Sequence, residues 1–429
     1  MENIKKFCVV SCPIATRSGY GARSRDFVRA LIKSKPDWEI KLLSQRWGNT
    51  PMDALTDGID NDLIEKIITE KEDRKPNVWI QITVPNEFQA HGDYNIGVTA
   101  GVETSIMPPA CLEGINRMDK VLVSSHFTKD VINASKYDKK EEKTGKLIEV
   151  LKVEKPIEVL FEGIDIDIYN NKAPNESRVD DVLSDIKESF CYLFVGHWLQ
   201  GDFGHDRKNI SGLIWNFLNT FKNKKNPPAL ILKTSRGNTS LVDRVGIRKT
   251  INQIKSQVDS NRLPNIYLLH SDLTDKEMNA LYNHSKVKAH VSFTRGEGFG
   301  RPLLEATISG KPMVVSGWSG QVDFLNKEMV NVIGGKLIDV HASAANDFIM
   351  KEAQWFDIDA PSANSTMKGI FENYKAYLTL SRKHRQYTKD NFTFNHMGEL
   401  LTTYLKEADE AKSSPQQVSL KLPKLKKVK

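Results

Sequence analysis

Nowhere do the 429 residues hold the roughly 18 consecutive apolar residues that a membrane-spanning helix requires, so no transmembrane segment is expected. The opening stretch, MENIKKFCVVSCPIATRSGYG, has a basic start and a short apolar run, but Pro13 and Arg17 interrupt it without a cleavage site. It reads as a buried first strand rather than a secretion signal. Cysteine is scarce as well. Cys8, Cys12, Cys111 and Cys191 include no Cys-x2-Cys pair, which favours buried free thiols in a reducing cytoplasm over a zinc site or a disulfide framework. No His/Asp/Cys cluster has metal-ligand spacing, no local motif assembles a Ser-His-Asp set, and no repeat recurs at a fixed period. Asp165 and Asp167 in GIDID read as a turn. Acidic residues are missing from one place in particular: residues 411–429 carry six lysines and no acid. Those six leave +1 of the net charge of +7 for residues 1–410, so the body is nearly neutral and the basic character belongs to a tail.

What is present is length and alternation. A chain of 429 residues is too long for one core and implies two domains of about 150–200 residues each. Apolar runs such as KKFCVVSCPI, EIKLLSQ, NVWIQIT, YNIGVTAG and KVLVSSH alternate with helical patterns, the mark of βα units. In the first helix Phe27, Leu31 and Ile32 share a face. The charged part of residues 138–156 reads as a solvated hairpin or loop. A second series follows the polar stretch NKAPNESRVDD: strand FCYLFVGHW, a helix over 209–222, then strands PALILKTS, NIYLLHS, KAHVSFT and KPMVVSG with helices between. The expected organisation is an N-terminal Rossmann-like domain over 1–178 and a second over 179–362. Helices over 363–412 are expected to pack back on the first domain, and 413–429 form a disordered Lys-rich tail.

The densest chemistry lies in residues 294–306, TRGEGFGRPLLEA. A strand runs into Gly296, Gly298 and Gly300, and Pro302 stands where a helix prefers proline, at its first position. Strand, Gly-rich turn and helix start together make an anion site of backbone N–H groups. The spacing is not the dinucleotide G-x-G-x-x-G, and Glu297 and Glu305 lie at different depths of one pocket. Taken singly, two carboxylates near a helix start have an ordinary structural explanation, since the helix dipole stabilises them there.

Over this stretch and its surroundings, SFTRGEGFGRPLLEATISGKPMVVSGWSGQVDF, the chain resembles retaining, family-4-like glycosyltransferases of the GT-B fold, whose signature is Glu-x7-Glu. That resemblance implies two Rossmann-like domains facing across a cleft. It implies that Glu305 hydrogen-bonds the ribose hydroxyls of a nucleotide sugar, that Glu297 lies near hydroxyls of the transferred sugar, and that Gly298 and the N–H groups of Phe299, Gly300 and Arg301 face sugar and diphosphate. Carboxylates suit hydroxyls because each accepts charge-assisted hydrogen bonds. In FVGHWLQGDFGHDRKNISG, Lys208 matches the family's diphosphate-neutralising lysine, whereas His197 stands where an arginine is usual, so Arg207 or Lys233 is expected to substitute. The SGYGARSRDF stretch resembles the loop that approaches the donor from the first domain, through Gly19, Tyr20 and Gly21. Glu103, in GVETS, takes the neighbourhood of a family histidine; with His126 and Trp318 it is a candidate for the acceptor side or the cleft, as are Ser319, Gly320 and Asp323.

The resemblance further implies a donor that is a UDP-linked sugar, no tightly bound cofactor, no metal, and departure of the diphosphate from the face that the acceptor attacks. For the acceptor the expectation leans to a hydroxymethylated base, hydroxymethylcytosine in DNA, as with bacteriophage DNA glycosyltransferases. The Lys-rich tail would add phosphate affinity. A lipopolysaccharide or other surface glycan stays open, with the tail and its Leu420, Leu422 and Leu425 touching anionic membrane instead. So do a nucleotide-sugar epimerase on the same scaffold and an inactive sugar-nucleotide-binding protein. The compartment expected is the cytoplasm of a bacterium or a phage-infected host.

Overall fold

The computed structural model describes residues 5–141, 144, 146–172 and 176–411; the Lys-rich tail lies outside these. The first half runs β1 (Phe7–Cys12), α1 (Gly19–Ser34), β2 (Glu39–Ser44), α2 (Asn61–Ile64), β3 (Val78–Ile82), β4 (Tyr94–Thr99), α3 (Pro109–Asn116), β5 (Lys120–Val123) and α4 (His126–Ala134). A hairpin of β6 (Tyr137–Lys140) and β7 (Leu147–Leu151) and then β8 (Ile157–Val159) complete it. The second half runs α5 (Ser177–Ser184), β9 (Cys191–Val195), α6 (Ile210–Phe221), β10 (Ala229–Lys233), α7 (Leu241–Ser256), β11 (Ile266–Leu269), α8 (Asp275–Asn283), β12 (Val287–Ser292), α9 (Arg301–Thr307), β13 (Met313–Ser316) and β14 (Asn331–Ile333). A hairpin of β15 (Gly335–Asp339) and β16 (Gln354–Ile358) precedes α10 (Ala360–Glu372), α11 (Tyr374–Asn391), α12 (Phe394–Tyr404) and α13 (Lys406–Glu410).

The strands form two parallel six-stranded sheets, β2-β1-β3-β4-β5-β8 and β11-β10-β9-β12-β13-β14. Each sheet is covered on both faces, which is why its central strands read as unbroken apolar runs rather than alternating ones. Helix α1 shows how the cover is built. The Ser18 hydroxyl accepts the N–H of Gly21 as an N-cap, and Phe27 and Leu31 are fully buried while Ile32 lies at the margin. Full burial of either of the first two side chains contributes about 1.5–3 kcal/mol. All four cysteines are free and buried. Among the described residues no helix is long and apolar enough to cross a membrane.

The C-terminal helices divide between the halves instead of all returning to the first. Ala363, Met367 and Ile370 of α10 sit in the second sheet's core beside α6, and α11 packs on α9. It is α12 that crosses over: Met397 and Leu401 enter the first sheet's core, against α1. The crossing is made beside the connection from the first sheet, where Ile164 donates its N–H to Phe392 O (2.9 Å) and accepts that of Phe394 (2.8 Å). Two strands of chain therefore link the halves at one place.

Candidate active site

In the second sheet the strand order reverses between β9 and β12, and the crevice at such a reversal, beyond the carboxyl ends of the strands, is where doubly wound sheets bind ligands. Gly196 and His197 leave β9 there, Lys233 ends β10, and residues 294–300 leave β12. Gly300 adopts φ 95°, a left-handed conformation, and turns the chain into α9. The helix begins at Arg301, so Pro302 occupies its second position rather than its first. The N–H groups of Phe299, Gly300 and Arg301 make no hydrogen bond with the described residues. The Phe299 ring is buried against Phe324, with centroids 5.1 Å apart.

Glu297 is the centre of a charge cluster. Its carboxylate accepts from Lys208, and one oxygen lies 3.3 Å from Arg207 Nη1. The same guanidinium nitrogen donates to Gly296 O (2.8 Å) and lies 3.5 Å from the carboxylate of Glu103, which comes from the first half. Burial pushes the Glu297 carboxyl up, but Lys208 and Arg207 outweigh it and hold the group below its ordinary value, ionised at neutral pH. Lys208 is lowered by burial and by Arg207, with Glu297 opposing. Arg207 is raised: Glu103 and Glu297 outweigh its desolvation. The two cations assigned to a diphosphate are thus both in contact with the carboxylate assigned to the sugar.

Glu305 is held differently. It accepts from Tyr282 Oη (3.0 Å) and Arg301 Nε (2.9 Å), and Arg301 reaches across to Asp26 on α1. Burial dominates here and pushes the carboxyl up to about 7, although Arg301 pulls it down. If Glu305 takes a ribose hydroxyl, as the resemblance implies, that hydroxyl donates to the ionised form, so donor affinity should rise between about pH 6 and 8 and binding should release protons near pH 7. Titration calorimetry in buffers of different ionisation enthalpy reads that release; Glu305→Gln should abolish both the slope and the released proton.

The other expected residues come from both halves. Lys233 is half-buried, lowered by burial while Asp272 and Glu305 raise it, and its ammonium has no hydrogen-bond or ion-pair partner among the described residues. His197 Nδ1 lies 3.2 Å from Ser235 Oγ; solvent reaches the ring, yet the surrounding protein and the charges of Lys233 and Lys208 lower its pKa. The Tyr20 hydroxyl is engaged by Thr99 Oγ1 (2.9 Å) and Ala100 N (3.1 Å). A side chain at Gly21 would strike Thr16 O, whereas Gly19 faces open space. His126 opens α4, and its N–H donates to Asp323 (2.8 Å) across the halves. Trp318 packs edge-on against Phe127 (4.7 Å) and flat beside Phe356 (6.3 Å), bridging the two halves.

Two of the loop glycines have a partner that the sequence did not indicate. A Cβ on Gly296 would lie 1.8 Å from Glu103 O, and one on Gly298 would lie 2.1 Å from Ala100 O. Ser125 Oγ donates to Gly298 O at 2.6 Å, and Ser319 Oγ accepts the N–H of Glu297 at 2.9 Å. The loop after β12 is therefore pressed backbone to backbone on the loop after β4, and these glycines permit the contact. Tyr282, Asp26 and Ser125 were missed by sequence reasoning. Each is an ordinary polar residue of a helix or its cap, with no local signal of its partner: Asp26 and Ser125 meet residues of the other half, and Tyr282 meets Glu305 within its own.

Residues 214–349 match the family model described as glycosyl transferases group 1. No curated protein matches the chain. Among solved structures, the sucrose-phosphate synthase of Thermosynechococcus elongatus is 11% identical, covers 95% of this chain and 100% of its own, and superposes with a TM-score of 0.62. The Anabaena protein Alr3699/HepE in complex with UDP-glucose is 12% identical, with 94% and 99% covered and a TM-score of 0.55. A trehalose-6-phosphate synthase studied for glycosyl transfer with retention is 11% identical, with 94% and 99% covered and a TM-score of 0.55. The chain has the GT-B fold, and with the matched segment this supports a GT-B glycosyltransferase.

Proposed function

We propose that the chain is a retaining glycosyltransferase that moves a sugar from a UDP-linked donor to a hydroxymethylated base in DNA. The observation that carries the donor half is the crevice at the reversal of the second sheet. Three consecutive N–H groups without a partner among the described residues, of Phe299, Gly300 and Arg301, stand there between two buried carboxylates, Glu297 and Glu305. The diphosphate meets those N–H groups and the cations Lys208, Arg207 and Lys233; Glu305 takes the ribose and Glu297 the sugar. Uridine is favoured because structures of this fold with UDP-glucose are among the similar ones. Retention rests on the Glu-x7-Glu resemblance and on the likeness to a synthase studied for transfer with retention.

The reaction breaks the bond from the anomeric carbon to the diphosphate oxygen, and its electron pair leaves with UDP. The acceptor hydroxyl oxygen bonds to that carbon from the same face, and its proton passes to the departing phosphate oxygen. Lys208 and Lys233 stabilise the charge that develops. Glu297, kept ionised, orients hydroxyls of the sugar without taking up a proton.

DNA is placed first among acceptors on account of the six lysines in residues 411–429, which give sequence-independent affinity for phosphates. The test is incubation with a panel of nucleotide sugars, with and without DNA containing hydroxymethylcytosine. UDP release that depends on the DNA, with a sugar-sized mass gain on the base, is the expected result. Transfer to glycans but not to DNA refutes the acceptor, a changed sugar nucleotide without acceptor points to an epimerase, and binding without turnover refutes catalysis.

A further inference from the structure

In the first sheet the strand order reverses between β1 and β3, so that sheet has a crevice of its own at their carboxyl ends. The loop after β2 is laid over it. Gln45 N–H donates to Cys12 O (2.9 Å), Arg17 N–H to Pro51 O (2.9 Å) and Ala54 N–H to Ala15 O (3.0 Å), so both ends of the loop are tied to the chain leaving β1. Near its start, Trp47 lies flat on Tyr20, with centroids 4.0 Å apart and planes inclined by 23°. A turn holds the tryptophan, because Trp47 O accepts both the N–H (3.1 Å) and the hydroxyl (2.7 Å) of Thr50.

Tyr20 is fixed in turn. Its hydroxyl bonds Thr99 and Ala100, and Ala100 O is the atom against which Gly298 packs. Trp47 thus stands one aromatic ring away from the contact between the acceptor-side loop and the donor-side loop. The indole is half-buried and its N–H makes no hydrogen bond with the described residues. Arg46, immediately before it, is exposed and has no ion-pair partner among those residues. Gly48 and Asn49, just after it, are exposed, and Gly48 turns the chain away at φ 50°.

A rigid indole backed by a second ring, with a free guanidinium alongside, has the chemistry of a stacking platform for a nucleobase whose phosphate meets the cation. We propose that Trp47, backed by Tyr20, stacks a base of a single-stranded or extruded nucleotide and that Arg46 meets the neighbouring phosphate. A base must leave the duplex for its hydroxymethyl group to reach a buried site, and a ring waiting at the crevice offsets the stacking lost. The proposal rests on the reading of DNA as acceptor, and it names the residue that recognises the acceptor.

Two measurements on the full-length protein keep the two ideas apart. The first is equilibrium binding of a short single-stranded oligonucleotide, without donor, to wild type, Trp47→Leu and Trp47→Phe. Loss of one stacked base predicts about tenfold weaker binding for Trp47→Leu, and Trp47→Phe within about threefold of wild type. The second is turnover of hydroxymethylcytosine DNA beside UDP release in the absence of acceptor. Trp47→Leu should raise KM for the DNA about tenfold and leave donor affinity and acceptor-independent UDP release unchanged. Oligonucleotide binding that depends on Trp47, without transfer to DNA, upholds the platform and refutes the acceptor reading. Transfer to DNA with Trp47→Leu binding as tightly as wild type overturns the platform, and so does a Trp47→Leu defect confined to oligosaccharide acceptors.

Discussion

Lys208→Met should lower kcat about 100- to 1,000-fold, the usual consequence of removing one preorganised group from a developing negative charge. The prediction separates two roles that the geometry joins. Lys208 contacts Glu297, so its loss, besides removing the cation proposed for the departing diphosphate, leaves a buried carboxylate with Arg207 as its remaining close counterion. The second effect has a signature of its own. Glu297, held below its ordinary value mainly by Lys208 and Arg207, should move upward in the variant, and the acid limb of the kcat profile should shift to higher pH. If Lys208 served only to neutralise Glu297, the double variant Lys208→Met/Glu297→Gln would recover most of the activity, since no uncompensated charge would remain. Recovery to within about tenfold of Glu297→Gln alone would therefore remove Lys208 from the transition state. Steady-state UDP release and single-turnover transfer, compared across pH, decide between these outcomes.

The same cluster explains how the chain does without an arginine after Gly196. Desolvation by the surrounding protein and the charges of Lys233 and Lys208 keep His197 below its ordinary value, so at neutral pH the imidazole is mainly uncharged. Arg207 and Lys208 are matched by Glu297 and Glu103, whereas Lys233 feels Asp272 and Glu305 without an ion pair to either. Since Arg207 and Lys208 are already paired and the Lys233 ammonium has no ion pair among the described residues, Lys233 is the one of these three that the proposed diphosphate would engage without displacing a carboxylate.

Much of this fold could be read from the chain because parallel strands covered on both faces write themselves as apolar runs. Those of β1, β3, β9, β10, β12 and β13 were plain. Helix α7 was not, because it carries apolar residues on two sides. Ile247, Ile251 and Ile254 are buried, whereas Leu241, Val242 and Val245 are exposed, and the period is blurred. The hairpin of β15 and β16 was missed for another reason: Trp355 lies in a small satellite core with Val340 and Ala353, outside both sheets. In the candidate site, motif spacing placed Glu297, Glu305 and Lys208 on their elements. It could not place Lys208 against Glu297, 89 residues away, or Asp26 against Arg301, 275 residues away, because such pairs depend on how loops and domains meet.

The contact between the domains leads to the other large effect expected, that of Gly298→Ala. The added methyl would lie 2.1 Å from Ala100 O, a backbone atom that cannot rotate away, and the carbonyl of Gly298 is itself held by Ser125. Overpacking inside a core costs about 1–3 kcal/mol of stability. Here the two surfaces belong to different domains, and the strain is relieved most easily by parting them. The loop after β4 would then withdraw from the crevice, taking Glu103 from Arg207. Transfer should fall about 10- to 100-fold for a loss of 1.4–2.7 kcal/mol in closure. Donor affinity should stay within about threefold, because Glu305, Lys208 and Lys233 all belong to the second domain. Gly334→Ala is the control: it is exposed, between β14 and β15, and a methyl there meets nothing within 4 Å. Kinetics of transfer beside calorimetric donor binding test the idea. Full transfer activity in Gly298→Ala would show that the loops need not meet, whereas equal losses of transfer and donor binding would place the damage inside the second domain.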